Sequence, residues 1–200
     1  TAKGYKIALQ ATDAGSLTIE NCNFSYNYRQ QLQSTSGKMS EADNITYTET
    51  DILRFRAAIY FKNCHLAIVK SCKVTGGQNA LLMKDCDDAL IYNNDFSFNS
   101  GIGLAMYNCS RNKMVYNKLN FNIRGYSDGV YSTNAGGAGI VLHGQSSDNL
   151  FFKNAVAHCS KGFLLPVANQ SGGKVNVLKE NDFSYAASSG IEMKSGGAKI

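Results

Sequence analysis

Lys62, Lys84, Tyr107 and His143 fall at one recurring position of this chain, and each could handle an acidic sugar. An imidazole titrates near neutrality and suits general acid–base work. A lysine crowded by other cations can lose its proton and act as the base of a β-elimination. Tyrosine adds a flat face and a hydroxyl. Between the third and fourth of these positions lies a Tyr/Gly-rich segment carrying Arg124, Tyr126, Asp128 and Tyr131. Arginine can hold a carboxylate with two parallel hydrogen bonds, and the aspartate could act as acid, base or orienting group. Lys161 stands near the start of a later repeat, within reach of the same face. His143, Asp128 and Arg124 are therefore the catalytic candidates. Lys62, Lys84, Tyr107, Tyr126, Tyr131 and Lys161 are the substrate-binding candidates. Plainer readings stand beside these: a surface histidine, solvated lysines, and a turn aspartate in Ser127-Asp128-Gly129.

Such a row needs a scaffold that repeats. Cys22, Cys72, Asn94, Asn117, Asn154 and Asn181 each stand two positions before an apolar residue, at a spacing that centres on about 23 residues. Ala58-Ile59-Tyr60-Phe61-Lys62-Asn63-Cys64 aligns with Ala80 to Cys86 and with Gly103 to Cys109. Runs starting at Gly139, Gly162 and Gly190 continue the series. Each run alternates, as a strand with one buried face requires. A second run centres on Ile19, Val69, Ile91, Met114, Phe151 and Leu178, and a third on Val74 and Phe96. An aromatic column follows at Tyr26, Phe98, Phe121 and Tyr185. His158 falls in it and reads as buried with it. Three short strands per coil over six to seven coils describe an all-β fold, a parallel β-helix, as one domain over 1–200. The asparagines read as turn residues that satisfy backbone groups and bond to one another. Five of the six cysteines fall at repeat-equivalent positions and read as free, buried thiols.

Two breaks in period mark loops. Leu104 to Ile140 is 36 residues, about 13 more than the period, and the excess falls at about 122–137. A longer break spans about 28–56. Both enter between the third strand and the next first strand, so they should wall one edge of the first-strand face. Loops on a rigid scaffold are where binding and catalysis concentrate. A smaller break at 168–174 lies on the other edge.

Composition narrows the partners. A net charge of +5 favours anionic partners, but lysine and arginine are not clustered densely enough for a nucleic-acid binder. No stretch reaches the length of a membrane span. Nineteen glycines and one proline suit many strands joined by turns. Asp85, Asp87 and Asp88 are the residues that suggest calcium, without the alternating spacing of a dedicated loop. No cofactor is otherwise expected, and no Cys/His spacing reads as zinc.

From about Ser16 to Ile200, this coil pattern with its Asn/Cys columns resembles the right-handed parallel β-helix superfamily of pectate-lyase-like proteins. The resemblance implies an extracellular or periplasmic, carbohydrate-active protein, monomeric, working on a polysaccharide in a groove along the first-strand face. The chemistry would be a lyase's or a glycoside hydrolase's. The same fold also serves non-catalytic glycan-binding and structural surface proteins. Residues 123–165 resemble bacterial β-helix proteins of polysaccharide-degrading settings, where acidic residues are expected in place of Lys161 and near His143. Asp87-Asp88 lacks the preceding glycine and the Gly-His-Gly of the polygalacturonases, which excludes that family.

Overall fold

The computed structural model describes residues 1–27, 57–123, 137–166, 174–194 and 197–200. Its strands run in the order β1 (Leu9–Thr12), β2 (Thr18–Glu20), β3 (Ile59–Lys62), β4 (Ile68–Lys70), β5 (Leu81–Lys84), β6 (Leu90–Tyr92) and β7 (Ile102–Tyr107). β8 (Lys113–Val115), β9 (Ala138–His143), β10 (Leu150–Phe152), β11 (Lys161–Leu165), β12 (Asn176–Lys179), β13 (Ser189–Met193) and β14 (Ala198–Lys199) follow. The odd-numbered strands form one parallel seven-stranded sheet and the even-numbered strands another. Each strand therefore pairs with its counterpart one coil away, the arrangement of a parallel β-helix of seven coils.

The expected third strand is reduced to one bridge per coil. Asn23, Lys73, Asp95, Lys118, Ala155 and Asp182 pair in succession outside any strand. The reason is local: a left-handed residue bounds the segment at each end, as with Asn93 and Phe98, leaving too few extended residues for a ladder.

The apolar columns read from the repeat meet in register. Ile59, Leu81, Leu104, Ile140 and Phe163 stack through the first sheet, and Val69, Ile91, Met114, Phe151 and Leu178 through the second. All ten are at most 3 % exposed. Leu104 and Ile140 pair directly although 36 residues separate them. The segments 28–56 and 124–136 themselves lie outside the described residues.

Corners are where a β-helix is in danger, because a turning backbone cannot pair all its polar groups with the next coil. Asparagine amides meet that need in two long ladders. Asn94 Nδ2 donates to Asn117 Oδ1 at 3.0 Å, Asn117 to Asn154 at 3.0 Å and Asn154 to Asn181 at 2.8 Å. Each also takes up a carbonyl of the previous coil, as Asn117 Nδ2 does with Ile91 at 2.9 Å. Asn112, Asn149 and Asn176 repeat the device at another corner. Cysteine does the same work elsewhere. The Cys64 amide donates to Cys86 Sγ, and the Cys86 amide to Cys109 Sγ, both at 3.4 Å. In the next coil Ser146 Oγ takes over and accepts from the Cys109 amide at 3.0 Å. All six cysteines are free thiols. Burial pushes the Cys159 thiol up to about 12 and those of Cys64, Cys72 and Cys109 above their ordinary value.

The glycines at the second position of β9 and β11 have no room for a side chain. A Cβ at Gly139 would strike the Val156 side chain, and one at Gly162 the carbonyl of Gly190.

Asn117→Ala should cost about 2–4 kcal/mol in urea unfolding, because the Asn94 amide and the Ile91 carbonyl are left buried without partners. Cys86→Ser should stay within about 1 kcal/mol of the parent, since Ser146 already fills that role. Cys86→Val keeps the volume but removes the hydrogen bonds and should cost more, about 1–3 kcal/mol.

Candidate functional site

The register brings the proposed row together. Thr12, Lys62, Lys84, Tyr107 and His143 are consecutive partners at the ends of β1, β3, β5, β7 and β9. Adjacent strands lie about 4.8 Å apart, so the row advances by about that step per coil. Tyr107 is clasped from both sides. The His143 ring stacks on it with centroids 5.2 Å apart and planes within 16°, while Lys84 Nζ lies 5.5 Å from the ring centroid. Stacking and the cation–π contact use its two faces. Tyr107 thus holds its neighbours in line, and its flat faces are taken up by them.

The neighbouring column differs from the sequence expectation. Tyr60, Leu82, Ala105, Val141 and Leu164 project from the outer side of the first sheet, yet Leu82 is 1 % exposed and Val141 fully buried. They form a second apolar cluster with Ala57, Ile102, Ala138 and, at its edge, Ile7. A strand alternates its side chains between faces, so large apolar residues on both faces demand cover on both. The column from Tyr60 to Leu164 accordingly offers little surface for contact.

Lys161 opens β11, paired with Ala138, whereas His143 closes β9. Five residues of strand separate those positions, about 16 Å. Lys161 and His143 cannot share a proton transfer at one bond. Lys161 meets an acid instead: its Nζ lies 2.7 Å from Glu192 Oε2, with Ser189 Oγ donating to the same oxygen at 3.3 Å. The side chains are 15 % and 29 % exposed. Glu192, on the outer face of the last first-sheet strand, thus supplies a carboxylate where the chain itself has a lysine. The Lys161 ammonium, with smaller help from Ser189, holds the Glu192 carboxyl below its ordinary value.

A second acid, Asp85, follows Lys84 at the corner, and its Oδ1 accepts from Asn108 Nδ2 at 3.1 Å. Glu192 falls in the run starting at Gly190, and the repeat alone does not show that it turns toward Lys161. Arg124, Tyr126, Asp128 and Tyr131 lie outside the described residues.

One expectation changes. His158 is not core. It is half-exposed in an open stack, 4.7 Å from Phe121 and 4.8 Å from Tyr185, with planes within 8°. The column sits where φ is positive, between 55° and 60° for Tyr26, Phe98, Phe121, His158 and Tyr185, and the side chains there turn outward. Tyr185 is 78 % exposed. The acidic turn, in turn, is occupied by a guanidinium: Arg111 contacts both Asp88 oxygens at 2.9 and 2.8 Å and Asp87 at 3.3 Å. Arg111 holds the Asp88 carboxyl low. Among the described residues no three His, Cys, Asp or Glu converge on a point suited to a metal ion.

A depressed carboxyl stabilises the fold fully above its unfolded value and loses that contribution as pH falls through the folded one. Glu192→Gln should therefore lower the melting temperature near neutrality, and the gap should close below about pH 4.5, the ordinary glutamate value. Melting curves of both proteins from acid to neutral pH measure it.

No helix among the described residues is long and apolar enough to cross a membrane. Neither a characterised protein nor a solved structure matches the chain. A family model described as the right handed beta helix region matches twice, over residues 2–136 and 57–200. With its asparagine ladders and two stacked parallel sheets, the chain belongs to the right-handed β-helix family.

Proposed function

We propose that this protein is a carbohydrate-active β-helix that engages an acidic polysaccharide along the first-sheet row, with His143 as the proton-transfer residue. The observation that carries the reading is the row itself: two lysines, a tyrosine and a histidine at one-coil intervals along the axis. An extended polyanion laid along the axis would meet Lys62 and Lys84 in succession and then the imidazole. Tyr107 holds the Lys84 ammonium and the His143 ring in line. His143 would take a proton from a sugar carbon in an elimination or pass one to a leaving oxygen in a hydrolysis. Asp128 and Arg124 remain the candidates for a second catalytic group and a carboxylate clamp. A polymeric substrate of this kind places the work outside the cell or in the periplasm, and the row lies within one chain, which suits a monomer.

A second reading, a glycan-binding solenoid without turnover, is favoured by the burial of Tyr60, Leu82, Ala105, Val141 and Leu164, which leaves a narrow contact strip. His143→Gln separates the two. On an enzyme it should lower turnover at least 100-fold, read as reducing ends and unsaturated uronates, while binding of the polymer changes little. Lys62→Gln with Lys84→Gln should weaken binding about tenfold, with a smaller salt dependence than the parent. If the parent releases neither product but the lysine variants lose binding, the non-catalytic reading holds. If no acidic glycan binds the parent, both readings fall.

A further inference from the structure

The outer face of the second sheet carries an aromatic and cationic strip that the first-sheet row does not use. Tyr92 and Tyr116 meet edge to face at 6.0 Å, and Tyr116 meets Phe152 in the same way at 5.8 Å. The two tyrosines are 41 % and 45 % exposed. Half-buried Leu90 and Leu150 lie two residues earlier on the same strands, with exposed Lys113 of β8 between them. A row of exposed rings of this kind marks an interaction site.

The charges beside the rings say what would bind. Lys153 Nζ lies 5.3 Å from the Phe152 ring and 5.8 Å from that of Tyr116, and Lys179 Nζ lies 5.7 Å from Phe152. A single carboxylate, Glu180, is shared between them, 3.5 Å from Lys153 and 3.6 Å from Lys179. Two ammonium groups against one carboxylate leave a positive charge at the edge of an apolar strip. The position of Tyr116 sharpens the point. Its φ is +57°, a backbone that asparagine adopts readily, and Asn93 holds the same position one coil earlier at +53°. A bulky exposed ring there is the uncommon choice.

We propose that this strip is a second, non-catalytic contact for an acidic polysaccharide. A uronic acid residue presents an apolar face of C–H groups and a carboxylate on one ring. The former packs on the exposed tyrosines, and the latter reaches the Lys153 or Lys179 ammonium. The rings come from successive coils, about 4.8 Å apart, so a chain lying along the axis meets them one after another. The ligand class is the one proposed for the first sheet and rests on that reading, but the site is separate and is tested on separate residues.

The test is affinity electrophoresis and calorimetry with polygalacturonate as the probe, dextran as the neutral control and polyglutamate as the acidic control without sugar rings. Tyr116→Asn combined with Lys179→Gln should weaken polygalacturonate binding about tenfold, leave melting unchanged, and act equally in a His143→Gln background. Lys153→Gln alone, a surface change, should give a smaller loss and serves if the double variant melts early. Unchanged polygalacturonate affinity in both variants overturns the proposal. So does equal binding of polyglutamate, which would make the strip a plain anion patch, or equal binding of dextran. If only the Lys62 and Lys84 substitutions remove binding, the first-sheet reading stands and this one fails.

Discussion

Everything in this fold depends on backbone polar groups at the corners finding partners in the next coil. Strand ladders satisfy the backbone along the sheets, but each corner breaks the ladder with a left-handed residue. The asparagine, cysteine and serine side chains then close the gap. Their hydrogen bonds run parallel to the axis, so a coil that slipped by one residue would lose every one of them while turning its apolar face outward. Register is thus held twice, by apolar packing in the sheets and by polar ladders at the turns. Cys64, Cys86, Cys109 and Ser146 make the chemical requirement plain: thiol and hydroxyl are exchanged because each can accept an amide and donate to a carbonyl.

The candidate surfaces inherit this constraint. A strict one-coil step converts a position in the repeat into a line along the axis, and a line suits a polymer better than a compact ligand. The first-sheet row and the second-sheet strip are two such lines. They differ in kind. In the row, an aromatic ring is enclosed between an ammonium and an imidazole, which organises charged groups for chemistry or for anion contact. In the strip, rings stand edge to face and partly open, with ammonium groups at their margin, which suits adhesion.

Much of the fold was legible in the residues because the repeat ties sequence distance to spatial neighbourhood. Ile59 under Leu81 under Leu104, and Lys84 under Tyr107 under His143, follow from alignment alone. Burial of the outer first-sheet column was not legible. Tyr60, Leu82 and Val141 alternate as outward residues, and alternation cannot tell a solvated face from one that is covered. His158 was misplaced for a related reason. Its column is aromatic, which suggests core, but the positive φ at that corner turns the side chains outward, and backbone hand at a turn is not written in residue type.

Architecture, register and the line of candidate residues follow from the repeat, because periodic apolar and asparagine positions admit one stacking. Which of those residues lie together was settled in the folded coils. It set Lys161 about 16 Å from His143 and beside Glu192, it enclosed the faces of Tyr107, and it spent the acidic turn on Arg111. Those outcomes depend on side-chain direction and on which surfaces are covered. Both arise when the coils are stacked, and neither is a property of the repeat alone.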